Sequence, residues 1–151
     1  MTVGTTAVAA RSALIGILRA RPGLAGVSVF SAEPKSWPDR SIRLVAIEAG
    51  QVDVAALRAA GSRARIEESY RLTGIIVVRQ PPGQDAELHA EMAVVDLYGE
   101  VLDEIARDPR LGDVPGVQWA KVVGFNLNAT FQQGNAQYSV LDFSVEVTAR
   151  P

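Results

Sequence analysis

The stretch RIEESYRLTGIIVVRQ, residues 65–80, decides the fold. Side chains of an extended chain alternate between two faces, so Ile66, Glu68, Tyr70, Leu72, Gly74, Ile76 and Val78 share one side. Ile75 and Val77 make the other side apolar in the second half. That half is expected to be buried on both faces, and the first half to be solvated or paired with another subunit. Glu67 and Glu68 are adjacent on this strand, point to opposite faces and cannot act as a catalytic pair. Pro81, Pro82 and Gly83 end the strand, since proline supplies no ladder donor.

Downstream, Asp85 to Arg107 reads as a helix. Leu88, Met92, Val95, Leu102 and Ile105 form an apolar stripe, widened by Val94, Leu97 and Val101. Acidic residues open this helix and Arg107 closes it, the order the helix dipole favours. A hairpin follows. Val117, Trp119, Lys121, Val123, Phe125, Leu127, Ala129 and Phe131 alternate with smaller or polar residues, and Leu141, Phe143, Val145 and Val147 do so on the return. Gln132 to Gln137 is read as the turn, and the face bearing Trp119, Val123, Phe125 and Leu127 as the one packed on helices. Both arms exceed the common strand length of about 5–6 residues, which leaves edges free for a neighbour.

Upstream, Thr6 to Ala20 has helical spacing through Val8, Arg11, Leu14, Ile15 and Leu18, with Pro22 and Gly23 as the stop. Leu24 to Phe30 reads as a short strand and Ile42 to Glu48 as another, with Ile42, Leu44, Ala46 and Glu48 on one face. Between them, Pro34 and Pro38 flank Trp37 on a loop. Trp37 is either an anchor for a partner or a cover for the core edge. Ala49 to Ser62 reads either as a short helix capped by Asp53 or as an excursion between strands. The expected order is therefore α-β-β-β-α-β-β. It implies an α+β fold, a mixed and mostly antiparallel sheet with two helices on one face and a long C-terminal hairpin. One domain is expected over residues 1–151.

Composition narrows the function. The chain has no cysteine, which excludes disulfides and thiolate chemistry. Net charge is −2 with a sequence pI near 5.4, and no basic cluster suited to gripping phosphate is visible. The N-terminal residues do not read as a signal peptide, and no apolar run approaches the roughly 20 residues of a membrane span. The single histidine, His89, sits on a polar helix side without a ligand partner at metal-binding spacing. No nucleophile elbow or phosphate loop is present, and Glu87, Glu91, Glu100, Asp103 and Glu104 follow the polar face of the second helix. The expectation is no enzyme, no cofactor and no metal.

The layout resembles a known family. The carriers are ALIGILRARPGLAGVSVF (residues 13–30), RARIEESYRLTGIIVV (63–78), IARDPRLGDV (105–114) and the long terminal hairpin. Together these look like the tail terminator, or tail completion, proteins of long-tailed bacteriophages. The resemblance implies a homohexameric ring at the head-proximal end of the tail, assembled in the host cytoplasm. It further implies contact with the tail tube protein and with a head–tail connector or neck protein, DNA passing through the lumen without specific binding, and no membrane. A neck or head-closure ring, the terminator of a phage-derived particle, and a small ligand-binding or enzymatic α+β domain are the other readings.

Interface candidates follow from segments that project from the patterned core. They are Trp37, Asp39 and Arg40 on the proline loop, Arg58, Arg63 and Arg65 in the Ala-rich segment, and Gln132, Gln133, Asn135 and Gln137 at the hairpin end.

Overall fold

A computed structural model describes residues 4–55 and 65–151. Helix α1 spans Ala7–Ala20, and a 3-10 turn, Pro22–Leu24, follows. Strands β1 (Ser28–Phe30), β2 (Arg40–Ala55) and β3 (Arg65–Gln80) precede helix α2 (Ala86–Arg107). Strands β4 (Val117–Gln133) and β5 (Ala136–Ala149) complete the chain. The described strands form a single five-stranded sheet in the order β1-β2-β3-β5-β4. Only the β1–β2 pair is parallel. The α+β class and the element order are those the sequence implies.

Strand β3 lies at the centre, as its two-sided apolar pattern requires. Its residues Tyr70, Leu72, Gly74, Ile76 and Val78 register with Val147, Val145, Phe143, Leu141 and Ser139 of β5. This face is dry and carries both helices: α1 over the β1–β2 side, α2 over β3, β5 and β4. Leu14 and Leu18 of α1 and Val94, Leu97, Val101 and Ile105 of α2 are fully buried against it. On the opposite face Val77 is buried and Ile75 half-buried, so the doubly buried second half is present.

Beta-bulges correct several face assignments. An extra residue in one strand shifts everything beyond it to the other side of the sheet. In β2 the register slips at Val45, so Ile47 takes the helix side opposite Leu72, and Ala46 and Glu48 fall opposite Thr73 and Arg71 on the other side. A second slip lies between Glu48 and Gln51. At Gly50 a Cβ would collide with the Ser69 backbone carbonyl, so the bulge depends on glycine. Strand β2 then runs on to Ala55 in register with Arg65. The expected helix or excursion after Ala49 is thus strand as far as Ala55.

In β4 the register slips at three places, between Val117 and Trp119, Val122 and Gly124, and Leu127 and Ala129. The expected dry face of Trp119, Val123, Phe125 and Leu127 does not exist as a unit. Trp119 lies opposite Thr148 on the helix-free side, with the Lys121 ammonium 5.0 Å from its ring centroid. Val123 is the extra residue of a bulge, and Phe125 is on the helix side but 60% exposed. The turn is also shorter than expected. Gln133 pairs with Ala136, leaving only Gly134 and Asn135 between the arms. Gly134 at φ +62° supplies the positive φ that a tight hairpin turn needs at its first central position.

Two polar clusters fix the helices. Glu68 Oε1 accepts the Thr6 backbone N–H at 2.7 Å and the Thr6 hydroxyl at 2.8 Å. With its proton so used, Thr6 Oγ1 accepts from the Tyr70 hydroxyl at 2.8 Å. The carboxylate thereby satisfies an orphan donor at the start of α1 and sits at the positive end of its dipole. Burial, with the neighbouring Glu68 charge, pushes the Tyr70 hydroxyl pKa above its ordinary value, against the hydrogen bond with Thr6, which lowers it. The second cluster surrounds Arg21, whose guanidinium meets Glu100 at 2.5 Å, Asp103 at 2.6 Å and Glu104 at 2.7 Å. These carboxylates hold the Arg21 pKa above its ordinary value. They were expected on a solvated face, whereas Glu104 is buried and all three clamp the end of α1 to α2.

Candidate functional site

The expected interface residues that the structure describes fall at two opposite ends of the sheet. At one end, β3 finishes at Gln80 opposite Gln137, and the β4–β5 turn lies just beyond. The proline loop reaches the same end. Asp39 Oδ1 accepts from Arg79 Nη1 at 3.1 Å, and the Asp39 carbonyl accepts the Arg79 backbone N–H at 2.8 Å. The Asp39 carboxylate first, and Tyr138 second, raise the Arg79 pKa. Tyr138, across from Arg79 on β5, stacks on Phe131 of β4 with ring centroids 5.4 Å apart. A chain of contacts thus runs Asp39, Arg79, Tyr138, Phe131 along this end. Arg40 opens β2 and is exposed, as are Gln132, Gln133 and Asn135. Gln137 is half-buried.

Trp37 is drawn back rather than projected. It is half-buried, with its ring 5.9 Å from that of Phe30 and tilted by 52°. It covers the sheet edge beside β1, the second of the two roles its loop allowed. At the opposite end, Arg65 opens β3, and Arg58 and Arg63 lie outside the described residues.

The sequence pattern missed a third surface. Helix α2 buries Ala90, Val94, Leu97, Val101 and Ile105, whereas Leu88, Met92, Val95 and Leu102 are 41–56% exposed. The expected stripe merged these two faces. Beside the open stripe, Phe125 and Leu127 of β4 are also exposed, and Phe125 rests on Tyr98 with centroids 5.0 Å apart. The signal was present in the sequence: α2 carries apolar residues around more of its circumference than one sheet contact covers. An exposed apolar patch of this kind, rimmed by Glu87, Glu91 and Asp96, is a candidate binding surface.

One sheet edge joins that surface. Strand β4 is the outermost strand at one side and has no partner on its outer edge among the described residues. At the other side β1 covers β2 only over Ser41–Arg43, which leaves the outer edge of β2 from Leu44 onward without a strand among the described residues. Long unpaired edges are templates for pairing with another chain.

A groove lined by Glu48, Gln51, Tyr70, Arg71 and Glu146 is shallow and polar. Arg71 Nη2 reaches Glu146 Oε2 at 4.0 Å across it, so Glu146 pairs there and not with Lys121 opposite it on β4. Among the described residues no three His, Asp or Glu side chains are grouped to hold a metal ion, and no helix is long and apolar enough to cross a membrane. His89 is exposed on α2.

No family model and no curated protein matches the chain. A chain from the virion of a native gene transfer agent particle is similar among solved structures. The TM-score is 0.38, with 13% identity over 97% of this chain and 100% of that one. The likeness is one of chain course and carries no residue-level correspondence.

Proposed function

We propose that the chain is a structural, non-catalytic protein of a phage-type tail: a terminator that forms a hexameric ring on the last ring of the tail tube. There it stops tube growth and offers its other face to a head–tail connector or neck protein. The observation that carries this reading is the pair of long sheet edges without strand partners among the described residues, one of them, β4, beside an apolar α2 stripe that no described residue covers. Side-to-side association through such edges is how ring proteins close. The two ends of the sheet then become the two faces of the ring. One bears the Asp39–Arg79 pair and the β4–β5 turn, and the other bears the end of β2 at Ala55 and the start of β3 at Arg65. A terminator must match the tube on one face and withhold that match on the other, and these two ends differ in sequence. A net charge of −2 suits a lumen through which DNA slides without being held.

Deleting the gene tests the reading. Tails of uncontrolled length, or tails that never join heads, are the expected result in electron micrographs. Tails of normal length joined to heads would contradict it.

A further inference from the structure

We infer that neighbouring copies meet head to tail, with the α2–β4 edge of one chain packed on the α1–β1–β2 edge of the next. This rests on the ring reading and adds which surfaces meet.

Charge selects the occupant. Helix α1 carries Arg11 and Arg19 and no acidic residue. Arg19 Nε donates to the Val29 carbonyl at 2.9 Å, which places this cation on edge strand β1. Helix α2 carries six acidic residues against the single Arg107. Arg21 and Arg107 engage Glu100, Asp103 and Glu104. Glu87, Glu91 and Asp96 have no cation partner among the described residues. Glu91 Oε1 accepts from the Thr130 hydroxyl at 2.9 Å, which places this anion beside edge strand β4. One side of the helix layer is therefore basic and the other acidic. A two-fold contact through either side would oppose like charges, whereas a head-to-tail contact opposes unlike ones.

The backbone agrees. Strand β4 is antiparallel to β5, β5 to β3 and β3 to β2, while β1 is parallel to β2. Strand β4 thus runs opposite to β1 and β2. Rotation about a ring axis along the strands preserves strand direction, so β4 meets the neighbour's β1–β2 edge antiparallel, the more stable pairing. Apolar surface is available on both sides: Met92, Val95 and Phe125 on one, Val8 at 60% and Val52 at 64% exposure on the other.

Paired charge reversals test this by native mass spectrometry and light scattering. Glu87→Arg with Asp96→Arg makes both sides basic, and Arg11→Glu with Arg19→Glu makes both acidic. Thermal melting verifies that each variant folds. If the Arg19 substitution costs the fold, Val8→Glu with Arg11→Glu replaces that pair. Each variant alone is expected to associate at least about tenfold more weakly than the unaltered chain. A one-to-one mixture is expected to recover assembly as rings with an even number of alternating copies. Unchanged assembly of either variant, a mixture that does not recover, or a mixture giving only heterodimers would overturn the head-to-tail contact. So would an unaltered chain that stays monomeric at every soluble concentration. The deletion phenotype is read separately, so the terminator reading can stand when this contact falls.

Discussion

Phe143 of β5 lays its ring over Gly74, its register partner on β3, at the centre of the sheet. A Cβ at Gly74 would lie inside the ring's van der Waals envelope, so the largest fully buried side chain occupies space that glycine leaves. Gly74→Ala is expected to destabilise the protein by about 1–3 kcal/mol through overpacking. In urea denaturation, Phe143→Leu should cost less in the Gly74→Ala background than alone, because the two sites share one volume. Additive losses would show that the ring does not depend on the glycine.

The Thr6–Glu68–Tyr70 cluster makes two claims. Glu68→Ala leaves the Thr6 N–H unpaired and the Thr6 hydroxyl with Tyr70 alone, and should cost about 1–3 kcal/mol. The second concerns alkaline pH. Because the Tyr70 pKa is raised in the folded state, its contribution is complete below the ordinary tyrosine value of about 10 and is lost as pH rises through the folded value. Melting temperatures measured from neutral to strongly alkaline pH should fall more steeply in the unaltered chain than in Tyr70→Phe. Parallel curves would remove Tyr70 from the account.

Arg21 holds three carboxylates, of which Glu104 is 9% exposed at its side chain and Asp103 68%. Arg21→Ala should therefore cost about 2 kcal/mol, below the ~3–5 kcal/mol of a fully buried pair, because Asp103 and Glu100 can turn to water. Arg21→Lys should recover only part of it, since an ammonium cannot present three donors in a planar fork. Full recovery by lysine in chemical denaturation would show that charge alone suffices.

The bulges in β4 yield a contrast between aromatic residues. Phe125→Ala should cost less than about 1.5 kcal/mol in the monomer, because Phe125 is 60% exposed, whereas Phe143→Ala should cost about 3–5 kcal/mol. Equal losses in thermal unfolding would mean that the Phe125 side is dry in the isolated chain.

These contrasts show where reading residues in order succeeds. The alternation of β3 from Ile66 to Val78 is uninterrupted, and its face assignment holds throughout. Strands β2 and β4 each contain bulges; Gly50 marks the one between Glu48 and Gln51, but no residue type marks those at Val45 and Val123 in advance. One inserted residue moves Ala46 and Glu48, or Trp119, to the other face. The partners of Arg21 lie 79–83 residues away, so only the packing of α1 on α2 unites them. For α2 the pattern held both stripes, but the choice of Val94 and Leu97 over Met92 and Val95 as the buried one depends on the sheet beneath. Trp37 was legible as an anchor or a covering residue, and in the single chain it lies half-buried against Phe30.

Electron cryomicroscopy of assembled particles tests the proposed ring at the head-proximal end of a tail tube. Six copies of this chain are expected in one ring, between the last tube ring and the neck, with β4 of each copy beside the β1–β2 edge of the next. A single copy there, a ring of another number, or density for this chain elsewhere in the particle would contradict it.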